Sequence, residues 1–379
     1  MLKIVKKVVK RVFVVIGISI ILIIGIGVVF LYTSPQFGGV ISEKKKENYS
    51  ESKQYRDGKF INNNNVKIEM SFGDMMKAIG GMFTSNSNTK PEKNIEVERV
   101  DSLNIVNYDS KIKTRLIWFG HSSFLMQIHD KNILIDPMFG SVPAPNSLLG
   151  TKRFSKELPI EVEKLPFIDA VLISHDHYDH LDYGSIQKLK NKVGVFYTPL
   201  GVGAHLIEWG VDEDKIIELD WWQDSKFEDI TFRCTPAQHF SGRGISDSDR
   251  TLWCSWVIST DNTNVFFSGD SGYANHFKEI GDKFGPFDIA MIECGQYNEL
   301  WPDVHMYPEE SAQAGADVQA KKIMAIHWGA FKLSQHSWID PIERISAKSL
   351  ELNIELITPK IGQPVIVSEQ GDYSKWWLN

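Results

Sequence analysis

The chain has 379 residues, with 48 acidic against 41 basic side chains and a net charge of −7. Five of the basic residues fall in the first eleven positions. Without them 36 face 48, a net charge near −12, which argues against a broad basic face for nucleic acid. Three cysteines, Cys234, Cys254 and Cys294, sit in or beside apolar runs; an odd, sparse set gives no disulfide framework and reads as buried thiols.

Lys3, Lys6, Lys7, Lys10 and Arg11 precede an uncharged apolar run, Val12 to Tyr32. Those 21 residues span roughly 31 Å as a helix, close to the apolar thickness of a bilayer. No A-x-A-like site follows Tyr32, which favours an uncleaved anchor over a signal peptide. The basic flank places the N-terminus in the cytoplasm and the rest of the chain on the outer face of the cell membrane. Residues 1–33 are therefore expected to form a single-pass anchor.

Residues 34–100 read as a linker and an amphipathic lead-in. Ile41–Lys67 is polar, with Asn62–Asn65 as its extreme, and is expected to lie extended on the domain. Phe72, Met75, Met76, Ile79, Met82 and Phe83 then recur at helical spacing on one face. Such a face either docks on the core or forms an apolar lip for acyl chains. Flexible methionines suit the second role.

Residues 101–379 form one domain, with no break in composition. Strand-like runs occur at Leu116–Phe119, Phe124–Ile128, Ile133–Ile135, Val195–Tyr197, Trp256–Ile258, Ile289–Ile292, Ile323–Ile326 and Pro364–Val367. Short turns such as His129–Asn132 and Asp261–Asn264 join some of them into pairs. The mix suits two packed sheets with helices outside.

The chemistry concentrates in Ser174-His175-Asp176-His177-Tyr178-Asp179-His180, an HxHxDH pattern that follows the apolar run Ala170–Ile173. Three of the chain's 11 histidines fall here. Imidazoles two apart off a strand end converge on one metal, and the following Asp-His pair turns toward a second. Imidazole and carboxylate donors without thiolate suit Zn²⁺, with Mn²⁺ or Fe²⁺ as substitutes. His239, Asp270 and His327 each follow an apolar run and stand beside Gly or Pro, where a strand meets a loop.

This order of HxHxDH, a downstream His, a Gly-Asp and a late His resembles the metallo-β-lactamase superfamily. Trp118–Leu125, Leu134–Phe139, Thr251–Trp253, Gly285–Asp288, Val304–Glu310 and His327–Gly329 look like its N-acylphosphatidylethanolamine phospholipase D branch, in its bacterial form, as does Ser34-Pro35-Gln36-Phe37-Gly38-Gly39. The resemblance covers roughly residues 34–370. It implies a four-layer αββα sandwich of the α/β class, preceded by the transmembrane helix. It also implies that His175, His177 and His239 hold one zinc, that Asp179, His180 and His327 hold the other, and that Asp270 bridges both. His305 matches the family's histidine near the phosphoryl group, so Asp179, Asp270 and His305 are the expected catalytic residues. Two segments depart from the family. Glu293–Leu300 stands where the animal enzymes read more like Pro-Ile-Gly-Ala-Tyr-Glu-Pro-Arg, and Leu333–Pro341 also differs.

The expected activity is hydrolysis of N-acylphosphatidylethanolamine-like phospholipids by a metal-bound hydroxide, releasing N-acylethanolamine and phosphatidic acid. The expected partners are this lipid and the membrane, with no nucleic acid; the oligomeric state is left open. Two alternatives stand beside it: a lactonase or other metallohydrolase of a sugar-type substrate on the same scaffold, and a non-catalytic metal-binding surface protein. Expected substrate contacts are Phe72, Met75, Met76, Ile79, Phe83 and Tyr297. Asp136 reads as a group that orients a ligand loop. His121 is expected near the site without binding metal, and His129, His205, His276 and His336 in surface or core roles.

Overall fold

The computed structural model describes residues 2–63, Gly73, Lys77 and 88–378. The apolar face of Phe72, Met75, Met76, Ile79, Met82 and Phe83 lies outside the described residues. Helix Leu2–Thr33 contains the expected apolar run and is long and apolar enough to cross a membrane, with a mean hydropathy of 3.2 in its best window.

Where an extended linker is expected over Ile41–Lys67, the described part carries structure. Ser42 caps a helix, Glu43–Tyr49, and a two-stranded hairpin follows, β1 (Tyr55–Arg56) with β2 (Lys59–Phe60). Ile41, Tyr49 and Phe60 are buried in the main core. The polar residues around them hid these three anchoring side chains from a composition-based reading.

The rest is two seven-stranded sheets. The first contains β3 (Arg115–Trp118), β4 (Phe124–Ile128), β5 (Lys131–Ile135), β6 (Ile168–Leu172), β7 (Val193–Pro199), β8 (Ile216–Leu219) and β16 (Pro364–Ile366), in the order β16-β3-β4-β5-β6-β7-β8. The second contains β9 (Asp224–Phe227), β10 (Ile230–Thr235), β11 (Ser255–Ser259), β12 (Asn264–Phe267), β13 (Ile289–Glu293), β14 (Lys322–Ile326) and β15 (Glu355–Ile357), in the order β15-β14-β13-β12-β11-β10-β9. Each sheet has an antiparallel half, β16 to β5 and β9 to β12, followed by a parallel half. His129 and Asp130 turn β4 into β5, both at positive φ, as a two-residue hairpin turn requires.

Strand periodicity assigns the layers. Leu116 and Trp118 join the core between the sheets, whereas Ile117 and Phe119 point outward to a second core with Ile186, Leu189, Leu206 and Trp209. Those four lie on or beside helices Tyr183–Leu189 and Gly203–Glu208. Helices His276–Phe284, Pro308–Asp317 and Asp340–Glu351 cover the other sheet through Phe277, Ile280, Ala312, Ile342 and Ile345. The result is the expected αββα sandwich.

Candidate metal centre

The chemistry gathers at one end of the sandwich. His121 follows β3, Asp136 follows β5 and His175–His180 follow β6; from the other sheet, His239 follows β10, Asp270 follows β12, Glu293 closes β13 and His327 follows β14. Rigid strands from both sheets therefore fix loops that meet across the seam.

The side chains form two adjoining clusters that share a carboxylate. In the first, His175 Nε2 lies 3.0 Å and His239 Nε2 3.1 Å from His177 Nδ1, with Asp270 Oδ2 at 3.7 and 3.8 Å from His175 and His239. In the second, His327 Nε2 is 3.1 Å from Asp179 Oδ2, and His180 Nε2 is 3.6 Å from the same oxygen. Asp270 reaches this cluster too, with Oδ1 3.1 Å from His180 Nε2 and Oδ2 3.1 Å from His327 Nε2. Donors held tetrahedrally around an ion of zinc's size stand about 3.3 Å apart. The observed spacings scatter around that value, and buried His180 Nε2 and Asp270 Oδ1 have no hydrogen-bond partner among the described residues. The donor set fits a pair of divalent metal ions.

Surrounding groups turn the ring nitrogens the right way. His180 Nδ1 donates to Asp136 Oδ2 at 2.7 Å, and His239 Nδ1 donates to the Val304 carbonyl at 3.0 Å. Ser174 Oγ donates to Asp136 Oδ2 at 2.5 Å and so accepts from His175 Nδ1 at 2.9 Å. In all three rings the proton is held on Nδ1, which leaves the Nε2 lone pair facing the cluster. His121 Nε2 donates to Asp179 Oδ2 at 2.8 Å. Burial, reinforced by His327, holds His121 down at about 3, so this donor is a neutral imidazole.

The backbone is bent to reach these positions. His121, Asp136 and His327 all have positive φ, at 55°, 40° and 64°. Strained non-glycine residues of this kind persist only where the surroundings over-determine them, and they concentrate at functional sites. Gly269 (φ 58°) is obligatory, because a Cβ there would lie 2.6 Å from the Cys254 carbonyl oxygen.

A profile of the beta-lactamase superfamily domain matches residues 131–328, from β5 past His327, and so spans all seven donors of the two clusters. The chain belongs to the β-lactamase superfamily. A Mycobacterium tuberculosis protein of uncharacterised function is 37% identical over 335 residues, covering 86% of this chain and 88% of the relative. An N-acyl-phosphatidylethanolamine-hydrolyzing phospholipase D 1 of Caenorhabditis elegans is 31% identical over 277 residues, covering 69% and 78%. Among solved structures, the metallo hydrolase Igni18 of Ignicoccus hospitalis shares the fold, with a TM-score of 0.52 at 20% identity over 68% of this chain and 100% of that one. The protein is a metal-dependent hydrolase of the metallo-β-lactamase fold.

Within that superfamily fold, all seven expected ligands, His175, His177, Asp179, His180, His239, Asp270 and His327, fall in the two clusters. His305 stands beside them, its ring 5.1 Å from both His239 and His327. Asp136 has the orienting position expected of it. The Tyr297 ring stacks on His336 at 4.3 Å, and its hydroxyl is tied to Asp340 and Arg344.

Other groups were not singled out. Buried Glu293 grips His305 and Met306. Asn62 bonds both backbone polar groups of His239. Asp176, between two ligand histidines, is a hub that accepts from Gly242 N and Thr251 Oγ1 and lies 3.3 Å from His205 Nε2. Buried Arg243 donates to the carbonyls of Asp176, Leu181 and Gln36, stacking on Tyr178 and Trp209. Asp176, at the first variable position of HxHxDH, was visible in the sequence; its partners, 29 to 75 residues away, were not.

Proposed function

We propose that this protein is a membrane-anchored, zinc-dependent phosphodiesterase that cleaves N-acylphosphatidylethanolamine-like phospholipids in the manner of a phospholipase D. The observation that carries the reading is Asp270, whose two oxygens reach both donor clusters, with His305 alongside. A site for two adjoining ions suits in-line displacement at phosphorus. The nitrogen and oxygen donor set, without thiolate, favours zinc. A relative 31% identical bears the name of an enzyme that hydrolyses this lipid.

When bound, the metal pair supplies Lewis acidity toward the phosphoryl oxygens and an activated water. The chain's residues do the rest. His175, His177 and His239 would hold one ion; Asp179, His180 and His327 would hold the other; Asp270 would serve both. His121 orients Asp179 through its Nε2 proton. As an imidazolium, with Nδ1–H on the Glu293 carboxylate, His305 would donate Nε2–H to the phosphoryl group or to the departing oxygen. The water oxygen would bond to phosphorus as the bond to the ethanolamine oxygen breaks; the departing oxygen would take the proton from His305 Nε2, and the proton lost by the water would restore it. The products are N-acylethanolamine and phosphatidic acid.

Helix Leu2–Thr33 supports the lipid reading, with the N-terminus in the cytoplasm and the domain on the outer face. Phe72, Met75, Met76, Ile79 and Phe83 are the acyl-chain contacts of this reading. Their segment is flanked by Asn62, bonded to His239, and by Asn88, bonded to Ser337 and Trp338. The deciding experiment assays the purified zinc-loaded full chain side by side on N-acylphosphatidylethanolamine in mixed micelles and on a set of lactones. Release of N-acylethanolamine is expected. Lactone opening without lipid cleavage overturns the reading.

A further inference from the structure

His305 is held from behind by a buried carboxyl group. Glu293 is the last residue of β13 and is completely enclosed. Its Oε2 lies 2.9 Å from His305 Nδ1, and its Oε1 accepts the Met306 backbone N–H at 2.8 Å. Its own N–H donates to Ser268 Oγ at 3.0 Å, in the loop that leads to Asp270. The His305 ring stacks on His327 at 15° and meets His239 edge-on. It keeps 13% of its side chain exposed while Glu293 exposes none, so the ring is the member of the pair that meets substrate.

With Nδ1 engaged, Nε2 is the one ring nitrogen left to face the reaction. Enclosing a carboxyl in a protein interior is costly unless hydrogen bonds offset it. Both oxygens of Glu293 are used in that way, one on the backbone beside His305 and one on the ring itself. Glu293 Oε2 also lies 3.4 Å from His327 Nδ1, but no hydrogen bond joins them, and the 2.9 Å contact with His305 Nδ1 is the shorter one.

We propose that Glu293 is the positioning residue for His305: by gripping Nδ1 and the adjacent Met306 N–H it fixes the ring so that Nε2 is presented to the scissile phosphodiester. The proposal rests on the phosphodiesterase reading for what His305 then does. The placement of the pair does not depend on it.

The test uses zinc-loaded full-length protein in detergent: wild type, E293Q, H305N and the double variant. In E293Q the amide oxygen keeps the Met306 bond, which turns the NH₂ toward Nδ1 and disrupts the grip. Turnover of a phosphodiester is expected to fall about tenfold to a hundredfold, with KM, zinc content and melting temperature kept. The double variant is expected to be no slower than H305N alone, because Glu293 acts only through the ring. Losses that multiply in the double variant, or zinc lost together with activity, overturn the proposal; the second outcome makes Glu293 a support for His327 instead. Nitrogen-15 NMR of histidine-labelled wild type gives a reading that needs neither substrate nor a folded variant. A slowly exchanging proton on the Nδ1 side of His305 is expected, and its absence overturns the proposal. If wild type cleaves no phosphodiester at all, the phosphodiesterase reading fails and the pair is judged by NMR alone.

Discussion

Asp136 and His180 form a fully buried carboxylate–imidazole pair, with ring Nδ1 2.7 Å from Oδ2. The same carboxylate accepts the Ser174 backbone N–H at 2.7 Å, so one side chain at the end of β5 sets both the loop that opens HxHxDH and the ring that closes it. In Asp136→Asn the amide NH₂ faces His180 Nδ1, and the ring proton is driven to Nε2, the atom that must be a lone pair. Affinity for one of the two ions should drop roughly tenfold to a hundredfold. Titration of zinc against a chromophoric chelator checks this; two equally tight ions in the variant would refute it.

Asp270 touches both clusters, whereas His175 belongs to one. Chelation should abolish turnover, and zinc should restore it. Asp270→Ala should lower the content to one ion or none, with His175→Ala losing principally one. Metal analysis beside turnover of a soluble phosphodiester gives the comparison. An active enzyme with a single ion would sink the two-metal mechanism.

His276 makes stability depend on pH in a stated direction. Burial pushes its imidazole down to about 3, while the unfolded chain has the ordinary value near 6.5. Between these values the unfolded state binds a proton that the folded state refuses, so stability falls as pH falls below about 6.5. The slope approaches roughly 1.4 kcal/mol per pH unit, or about 2 kcal/mol lost by pH 5. Denaturant midpoints of wild type and His276→Gln, measured from pH 7 to pH 5, should converge as the pH drops. Parallel curves would mean that His276 does not carry the effect.

Replacing Phe72 and Met75 together by Ser should slow hydrolysis of bilayer-presented lipid about tenfold or more per residue, if each buries against acyl chains in the transition state. A small soluble phosphodiester should be cleaved as before. Equal losses on both substrates with a fall in melting temperature would place this face in the core.

Much of this was legible because strands write themselves with a period of two and ligand loops begin where the apolar run stops. β4, for example, begins and ends at the residues its pattern indicates, and His239, Asp270 and His327 each follow a strand as expected. Edge strands were harder. β8, β9 and β15 are short and partly exposed, and β9 is also polar, so Asp224–Phe227 reads as loop until it pairs with β10. Glu293 was seen only as a departure from the animal enzymes in a segment bordering the cleft. Its partner, His305, is 12 residues away, and nothing local in Ile-Glu-Cys-Gly reveals a carboxyl turned inward beneath a histidine.

The six residues after the long apolar helix make it more than a leash. Trp209 Nε1 donates to the Pro35 carbonyl at 2.6 Å, Arg243 Nε to the Gln36 carbonyl at 2.8 Å, and Gly39 N–H to His205 Nδ1 at 3.1 Å. Arg243 and His205 both grip Asp176, between two metal ligands. Gly38 and Gly39 fit so closely that a Cβ would fall 2.0 Å from His205 Nδ1 or 2.3 Å from the Ala204 carbonyl oxygen. A tilt of the helix is therefore passed through a bonded joint, without slack, to the loop that carries HxHxDH. On the membrane-anchored reading, the surface that holds the helix sets the compass bearing of the candidate metal centre, and a substrate has to arrive along that bearing.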